Sequence, residues 1–213
     1  MKRVAVYNSA KAVKSGLTST APRRIVVAIT GATGTIYGVR LLEMLRSADV
    51  ETHLVISRWG ARTLVHETPY SVAQVHALAD HVHRVADQGA PISSGSYLTD
   101  AMLIVPCSMR TLAAIAHGLG DNLIHRAADV MLKERRTLVL AIRESPLSEI
   151  HLRNMLRVTR AGAVVVPPVP SFYDKPQTID NIVNYTVARL LDHVGIHLDV
   201  ADRWRGFHEI HER

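Results

Sequence analysis

From Ile25 onward, short runs of almost unbroken apolar, β-branched residues alternate with longer stretches whose apolar positions recur at helical spacing. The runs are Ile25–Ile29, Thr52–Ile56, Met102–Val105, Thr137–Ile142 and Ala163–Val166. Such unbroken apolarity marks strands covered on both faces, as the strands of a parallel sheet are. The amphipathic stretches are Thr35–Arg46, Arg58–His66, Ser108–Leu119, Asp121–Arg135, Ser148–Ala161 and Thr178–Val194. Each would lay one apolar stripe on the sheet and leave the rest to water. The βαβα order predicts an open, doubly wound α/β sheet with right-handed crossovers. No repeat or internal linker divides it. Gly89–Gly95 and Pro167–Pro176 are irregular enough to be ligand loops.

Sheets of this kind bind ligands beyond the carboxyl ends of their strands. That singles out Thr30–Gly34, Ser57–Arg58, Pro106–Thr111, Arg143–Glu144 and Pro167–Tyr173. The first is the most telling: a buried run breaks into Thr30-Gly31-Ala32-Thr33-Gly34-Thr35-Ile36-Tyr37-Gly38 and then into a helix pattern. Strand, glycine turn and helix start together form the layout of an anion site. Glycine lets the main chain approach closely, and the first helical N–H groups lack internal partners. A purely structural helix start has the same layout. The spacing G-x-x-G-x-x-x-G departs from nicotinamide turns, and no acid closes the second strand, which runs into Ser57-Arg58-Trp59. NAD(P) is therefore disfavoured.

Ser108 is a good N-cap with Thr111 three residues on, in a second turn at a strand end that is either a ligand turn or an ordinary cap. Cys107 beside it has no suitably placed His and reads as a small buried residue, not a nucleophile. Arg126 and Lys133 are two helical turns apart, on one face and about 10 Å apart along the axis. They could clamp a phosphate or simply face solvent. Arg135 and Arg136 read as charges that complement the helix C-terminus. Arg143-Glu144 is either an acid/base group beside a cation or a structural ion pair. Prolines 167, 168 and 170 stiffen the loop carrying Phe172 and Tyr173, which would wall an apolar ligand, the core or an interface. The histidines are scattered without zinc spacing, so no metal is expected.

Composition adds bounds. The chain has 213 residues, 47% hydrophobic and 21% charged, which suits a globular domain. No apolar run approaches the ~20 residues of a membrane span. A single cysteine excludes an internal disulfide framework and fits a reducing compartment, hence a cytoplasmic protein. Lys2, Arg3, Lys11, Lys14, Arg23 and Arg24 account for the whole net charge of +6. A basic extension over 1–24 thus precedes a neutral domain over 25–213, which argues against a nucleic-acid surface. The extension reads first as a disordered stretch; basic, free of acids and containing Ser and Thr, it also has the composition of a mitochondrial transit peptide.

Taken together, Thr30–Gly34, Pro106-Cys107-Ser108, Arg126–Val130, Leu132–Arg136, Arg143-Glu144-Ser145-Pro146, Phe172-Tyr173 and Val187-Ala188-Arg189 resemble the UbiX-type flavin prenyltransferases, from about Ile25 to Trp204. The resemblance implies a three-layer flavodoxin-like or Rossmann-like flavoprotein assembled into dodecamers. It implies transfer of a dimethylallyl group from dimethylallyl phosphate to N5 and C6 of reduced FMN, giving prenylated FMN for UbiD-type decarboxylases. Carried over, Gly31, Ala32 and Thr33 meet the flavin phosphate and ring, and Ser57, Ser108, Met109, Arg110, Thr111 and Arg143 complete the FMN site. Arg126, Lys133, Tyr173 and Arg189 bind the donor phosphate. Thr33, Glu67 and Glu144 are the catalytic residues, the two acids managing protons, and Trp204 covers the site. No metal is implied.

The chain departs from the family pattern at Thr33, where Ser is usual, at Trp59-Gly60, and at Asp174. A flavin-dependent cysteine decarboxylase is the runner-up, but Pro106–Thr111 does not match its turn. An NAD(P) reductase lacks its Tyr-x-x-x-Lys pair, since Arg189 follows Tyr185 at that spacing. A non-catalytic flavin carrier is the remaining alternative.

Overall fold

The computed structural model describes residues 22–200 other than 49 and 174, together with residue 206. The elements run β1 (Arg23–Ile29), α1 (Thr35–Leu45), β2 (Val50–Ile56), α2 (Arg58–Glu67), α3 (Val72–His76), β3 (His81–His83) and a 3-10 turn (Pro91–Ser93). Then come β4 (Ala101–Cys107), α4 (Met109–Ala116), α5 (Leu123–Lys133), β5 (Thr137–Ile142), α6 (Glu149–Ala161), β6 (Val164–Val165) and α7 (Ile179–Asp192). The six strands form one sheet in the order β3-β2-β1-β4-β5-β6, and every pairing is parallel. This is the expected doubly wound α/β fold, with its switch point between β1 and β4.

Alternate residues of each strand feed two cores. Ile25, Val27 and Ile29 of β1 pack with α1 and α7, whereas Val26 and Ala28 pack with α4 and α5. All five are fully buried, and each large aliphatic side chain withdrawn from water contributes about 1.5–3 kcal/mol. The helices accordingly form two outer layers: α1 and α7 on one face, and α4, α5 and α6 on the other.

Gly38 decides how closely α1 lies on the sheet. A Cβ there would fall 2.4 Å from the Val105 carbonyl oxygen and 2.9 Å from Ile29 Cγ1. The third glycine of the opening motif is therefore a packing residue rather than a ligand contact.

Two of the six tail cations belong to the sheet. Arg23 donates to the carbonyls of Val194 and Gly195 at 2.5 and 3.3 Å, and Arg24 pairs with Glu51 at 2.9 Å. Strand β1 thus takes in Arg23 and Arg24 ahead of the apolar run; residues 1–21 lie outside the described residues. Strand β3 has no counterpart among the expected strands, because its three residues, His-Val-His, form the exposed edge of the sheet and carry no apolar run.

Candidate functional site

A cavity of about 730 Å³ opens at the carboxyl ends of β1, β2, β4 and β5. Its floor is the glycine turn Thr30–Thr33. The parallel register ends β1 and β2 together at Ile29 and Ile56, which sets that turn beside Ser57. Ser57 caps α2 by accepting from the Gly60 amide at 2.9 Å. Gly31 is needed here because a Cβ would lie 2.4 Å from Trp59 Cβ. Thr30 ties this turn to the next: its hydroxyl donates to the Pro106 carbonyl at 2.8 Å and accepts from the Ser108 amide at 2.8 Å.

Ser108, Met109, Arg110 and Thr111 form the opposite wall. Ser108 Oγ caps α4 by accepting from the Thr111 amide at 3.3 Å. Arg143 and Glu144 close the cavity beyond β5, and the Glu144 carboxylate accepts from the Ser145 amide at 3.0 Å. Cys107 is wholly buried and its thiol is pushed far up by burial, which bars it from nucleophilic work.

The start of α1 carries a partner that the sequence did not announce. Two N–H groups there, those of Gly34 and Thr35, meet a carboxylate. Glu67, at the end of α2, accepts from the Gly34 amide at 2.9 Å and from the Thr35 amide and hydroxyl at 3.1 Å each. Gly34 sits at φ 93° and has no capping side chain of its own, so the cap arrives from another helix. Two of the first amides of α1 are thus already paired with a carboxylate, while Gly31, Ala32 and Thr33 line the cavity.

Burial by itself would raise the Glu67 pKa, but hydrogen bonds from Thr33, then Thr35 and Gly34, outweigh it and hold the carboxylate below its ordinary value. This stabilisation is complete above the ordinary glutamate pKa near ~4.3 and is lost as pH falls through the lower folded value. Glu67→Ala is expected to cost about 1 kcal/mol at pH 7, the scale of a lost N-cap. The gap to the unsubstituted protein should close in acid. Urea midpoints at pH 7 and pH 3 check this; a gap of the same size at both would mean that the charge is irrelevant.

Of the residues expected at the site, Gly31, Ala32, Thr33, Ser57, Ser108, Met109, Arg110, Thr111, Arg143 and Glu144 line the cavity. Arg126, Lys133, Tyr173 and Arg189 do not. Arg126 and Lys133 do share a face of α5, since both approach the segment Ser93–Gly95. Arg126 donates to the Ser93 carbonyl at 3.0 Å and to Asp129 at 2.8 Å, while Lys133 pairs with Glu134. Arg189 pairs with Asp192 at 2.7 Å, and the Tyr173 hydroxyl meets that of Tyr185. Because α5 and α7 cover opposite faces of the sheet, one chain keeps these two pairs apart. Trp204 lies outside the described residues, as does Asp174.

Arg136 was expected to complement a helix terminus, but it holds a loop instead, donating to the carbonyls of Gly95 at 2.6 Å and Tyr97 at 3.0 Å. Asn122, His125, Val85 and Ala86 line the cavity without having been foreseen. Asn122 caps α5 through the Ile124 and His125 amides at 2.9 and 3.1 Å, so its position before an amphipathic run was the available signal. Burial, chiefly, holds the His125 pKa below its ordinary value. Val85 and Ala86 sit in irregular chain that carries no signal of its own.

The family model described as Flavoprotein matches residues 14–191. A probable UbiX-like flavin prenyltransferase of Streptomyces sp. (strain D7) is 59% identical over 184 residues, covering 86% of this chain and 92% of the relative. Among solved structures, AnUbiX (PadA1) in complex with FMN and dimethylallyl pyrophosphate superposes with a TM-score of 0.87 at 56% identity, covering 88% of this chain and all of that one. A dodecameric FMN-dependent UbiX-like decarboxylase from Escherichia coli O157:H7 gives 0.85 at 55% identity, covering 86% and 100%.

Proposed function

The chain belongs to the UbiX-type flavin prenyltransferases, and on that premise we propose how its residues divide the work of joining a dimethylallyl group to FMN. The protein is a prenyltransferase, FMN is its flavin, and a dimethylallyl phosphate ester is its donor. The observation that carries the assignment of roles is the occupied start of α1. With Glu67 on those amides, the remaining anion-binding wall is the start of α4 with Arg143.

The cavity fits FMN: its volume lies within the ordinary range of cofactor pockets, ~300–1,000 Å³, and a helix start and a guanidinium face one end of it. Ser108, Met109, Arg110, Thr111 and Arg143 hold the phosphate, whose charge the α4 dipole and the guanidinium favour. Gly31, Ala32, Thr33 and Ser57 border the ring. When bound and reduced, FMN supplies the N5 and C6 positions that accept the prenyl group.

Arg126, Lys133, Tyr173 and Arg189 hold the donor phosphate and stabilise it as it leaves, because three cations offset the charge that develops as the carbon–oxygen bond breaks. Their split across two faces of the sheet means that the site is completed between protomers. This agrees with a homo-oligomer, and the dodecamer of the E. coli relative is the size we favour. Thr33 links the flavin side to Glu67, and Glu144 stands at the cavity wall, so these three manage protons during ring closure. Trp204 shields the site from water. The product, prenylated FMN, passes to a UbiD-type decarboxylase. No helix among the described residues is long and apolar enough to cross a membrane; we place the protein in the cytoplasm from its single thiol, with a mitochondrial address in the basic extension as the second reading.

Reduced FMN incubated anaerobically with the protein and dimethylallyl phosphate, or in a parallel arm the diphosphate, should gain the mass of one prenyl unit. Bound FMN with no mass gain in either arm would overturn the transfer. Arg189→Ala should lower donor use and spare FMN binding; loss of FMN instead would show that the two sites are misassigned.

A further inference from the structure

At the β2–β3 edge, away from the flavin cavity, three side chains that are dispersed in the sequence converge. The register pairs His53 with His81 and Val55 with His83, stacking histidines on neighbouring strands. The rings of His53 and His81 lie 4.7 Å apart at 23°, and those of His53 and His83 5.2 Å apart at 5°. Glu51 Oε1 is 3.2 Å from His53 Nε2 and 3.2 Å from His81 Nε2. One ligand atom from each of Glu51, His53 and His81 can be chosen so that all lie within 4.8 Å of one another.

We propose that Glu51, His53 and His81 form a binding site for a zinc-class divalent ion that clasps the edge strand β3 to β2. Bonds of ~2.0–2.2 Å in a tetrahedral shell separate neighbouring ligand atoms by about 3.3 Å, close to the contacts found here. Two imidazoles and one carboxylate with an open fourth position form a set that zinc, cobalt and nickel accept.

The surroundings suit those ligands. His53 Nδ1 lies 2.9 Å from His83 Nε2, so its N–H can donate outward and leave Nε2 free for the ion. Arg24 donates to the other oxygen of Glu51, Oε2, at 2.9 Å, which fixes the carboxylate with Oε1 turned to the histidines. The Tyr97 hydroxyl, 3.2 Å from His53 Nε2 and 3.3 Å from Glu51 Oε1, stands by the fourth position. His53 is buried, which holds its ring in place beside Glu51. His81 is half exposed, which gives the ion a way in.

The test uses the full chain and Co²⁺ as a spectroscopic probe, with Zn²⁺ in competition. The expected result is one Co²⁺ per chain with visible d–d absorption, displaced by Zn²⁺, and a rise in melting temperature on adding Zn²⁺. His81→Ala, at an exposed position that tolerates truncation, should remove the absorption while FMN still binds. His83→Ala should weaken Co²⁺ by about 10–100-fold as an outer partner, and His66→Ala, on exposed α2, should change nothing. No absorption with the unsubstituted protein, or absorption unaltered in His81→Ala, would overturn the proposal.

Discussion

Lys133→Ala should lower prenyl transfer by about 10²–10³-fold, the cost of removing one preorganised group that stabilises a developing anion, while FMN stays bound. The cation lies at the end of α5, outside the flavin cavity, so its loss leaves the flavin walls untouched. The division of donor residues between α5 and α7 makes a sharper expectation. Lys133→Ala chains and Arg189→Ala chains should each be nearly inactive alone. Mixed in denaturant and reassembled, they should regain part of the activity, because some sites then draw an intact α5 and an intact α7 from different protomers. Prenylated flavin measured by mass reads the outcome. Equal inactivity before and after mixing would mean that one chain supplies all four residues, and that the donor site lies elsewhere.

The second large effect concerns stability. Gly38→Ala places a methyl group 2.4 Å from the Val105 carbonyl oxygen, which belongs to a strand held between two neighbours. That nearest contact is backbone rather than the end of a flexible side chain, and buried Ile29 lies next, 2.9 Å away. The expected loss is about 3 kcal/mol, the upper end of ordinary overpacking, or ~6–12 °C in melting temperature for a chain of this size. Gly120→Ala is the control, since a Cβ there meets nothing within 4 Å. If the two substitutions prove equally mild, α1 is free to move off the sheet and the close approach is not a constraint.

The core was legible because each central strand announces itself locally. The expected Thr137–Ile142 is β5, and Ile25–Ile29 differs from β1 only by Arg23 and Arg24, whose partners are remote in sequence. The edges were not legible. His81–His83 has a single apolar residue, Val82, and no apolar run, and five-residue α3 is too short for periodicity, although Ser71 and Gln74 form its capping box.

The site followed the same division. Turns at strand ends were read from glycines and caps, and ten of the expected residues line the cavity. What escaped was contact between distant segments: Glu67 reaching α1, Arg136 reaching the loop at 95–97, and the histidine group made by register. The split of the donor residues escaped too, because same-face spacing on α5 says nothing about which layer holds α7.

The partners of the three cations proposed to hold the donor bear on which anions the proposed site would admit. Arg126, Lys133 and Arg189 each rest against a neighbouring carboxylate, Asp129, Glu134 and Asp192. Exposed pairs of this kind are weak, so releasing all three gives up little affinity. A dianion bound at short range by three cations regains that; chloride, with one charge and no directional oxygens, does not. On the proposed roles, the resting ion pairs would act as a charge filter, favouring a phosphate ester over the salts of the cell.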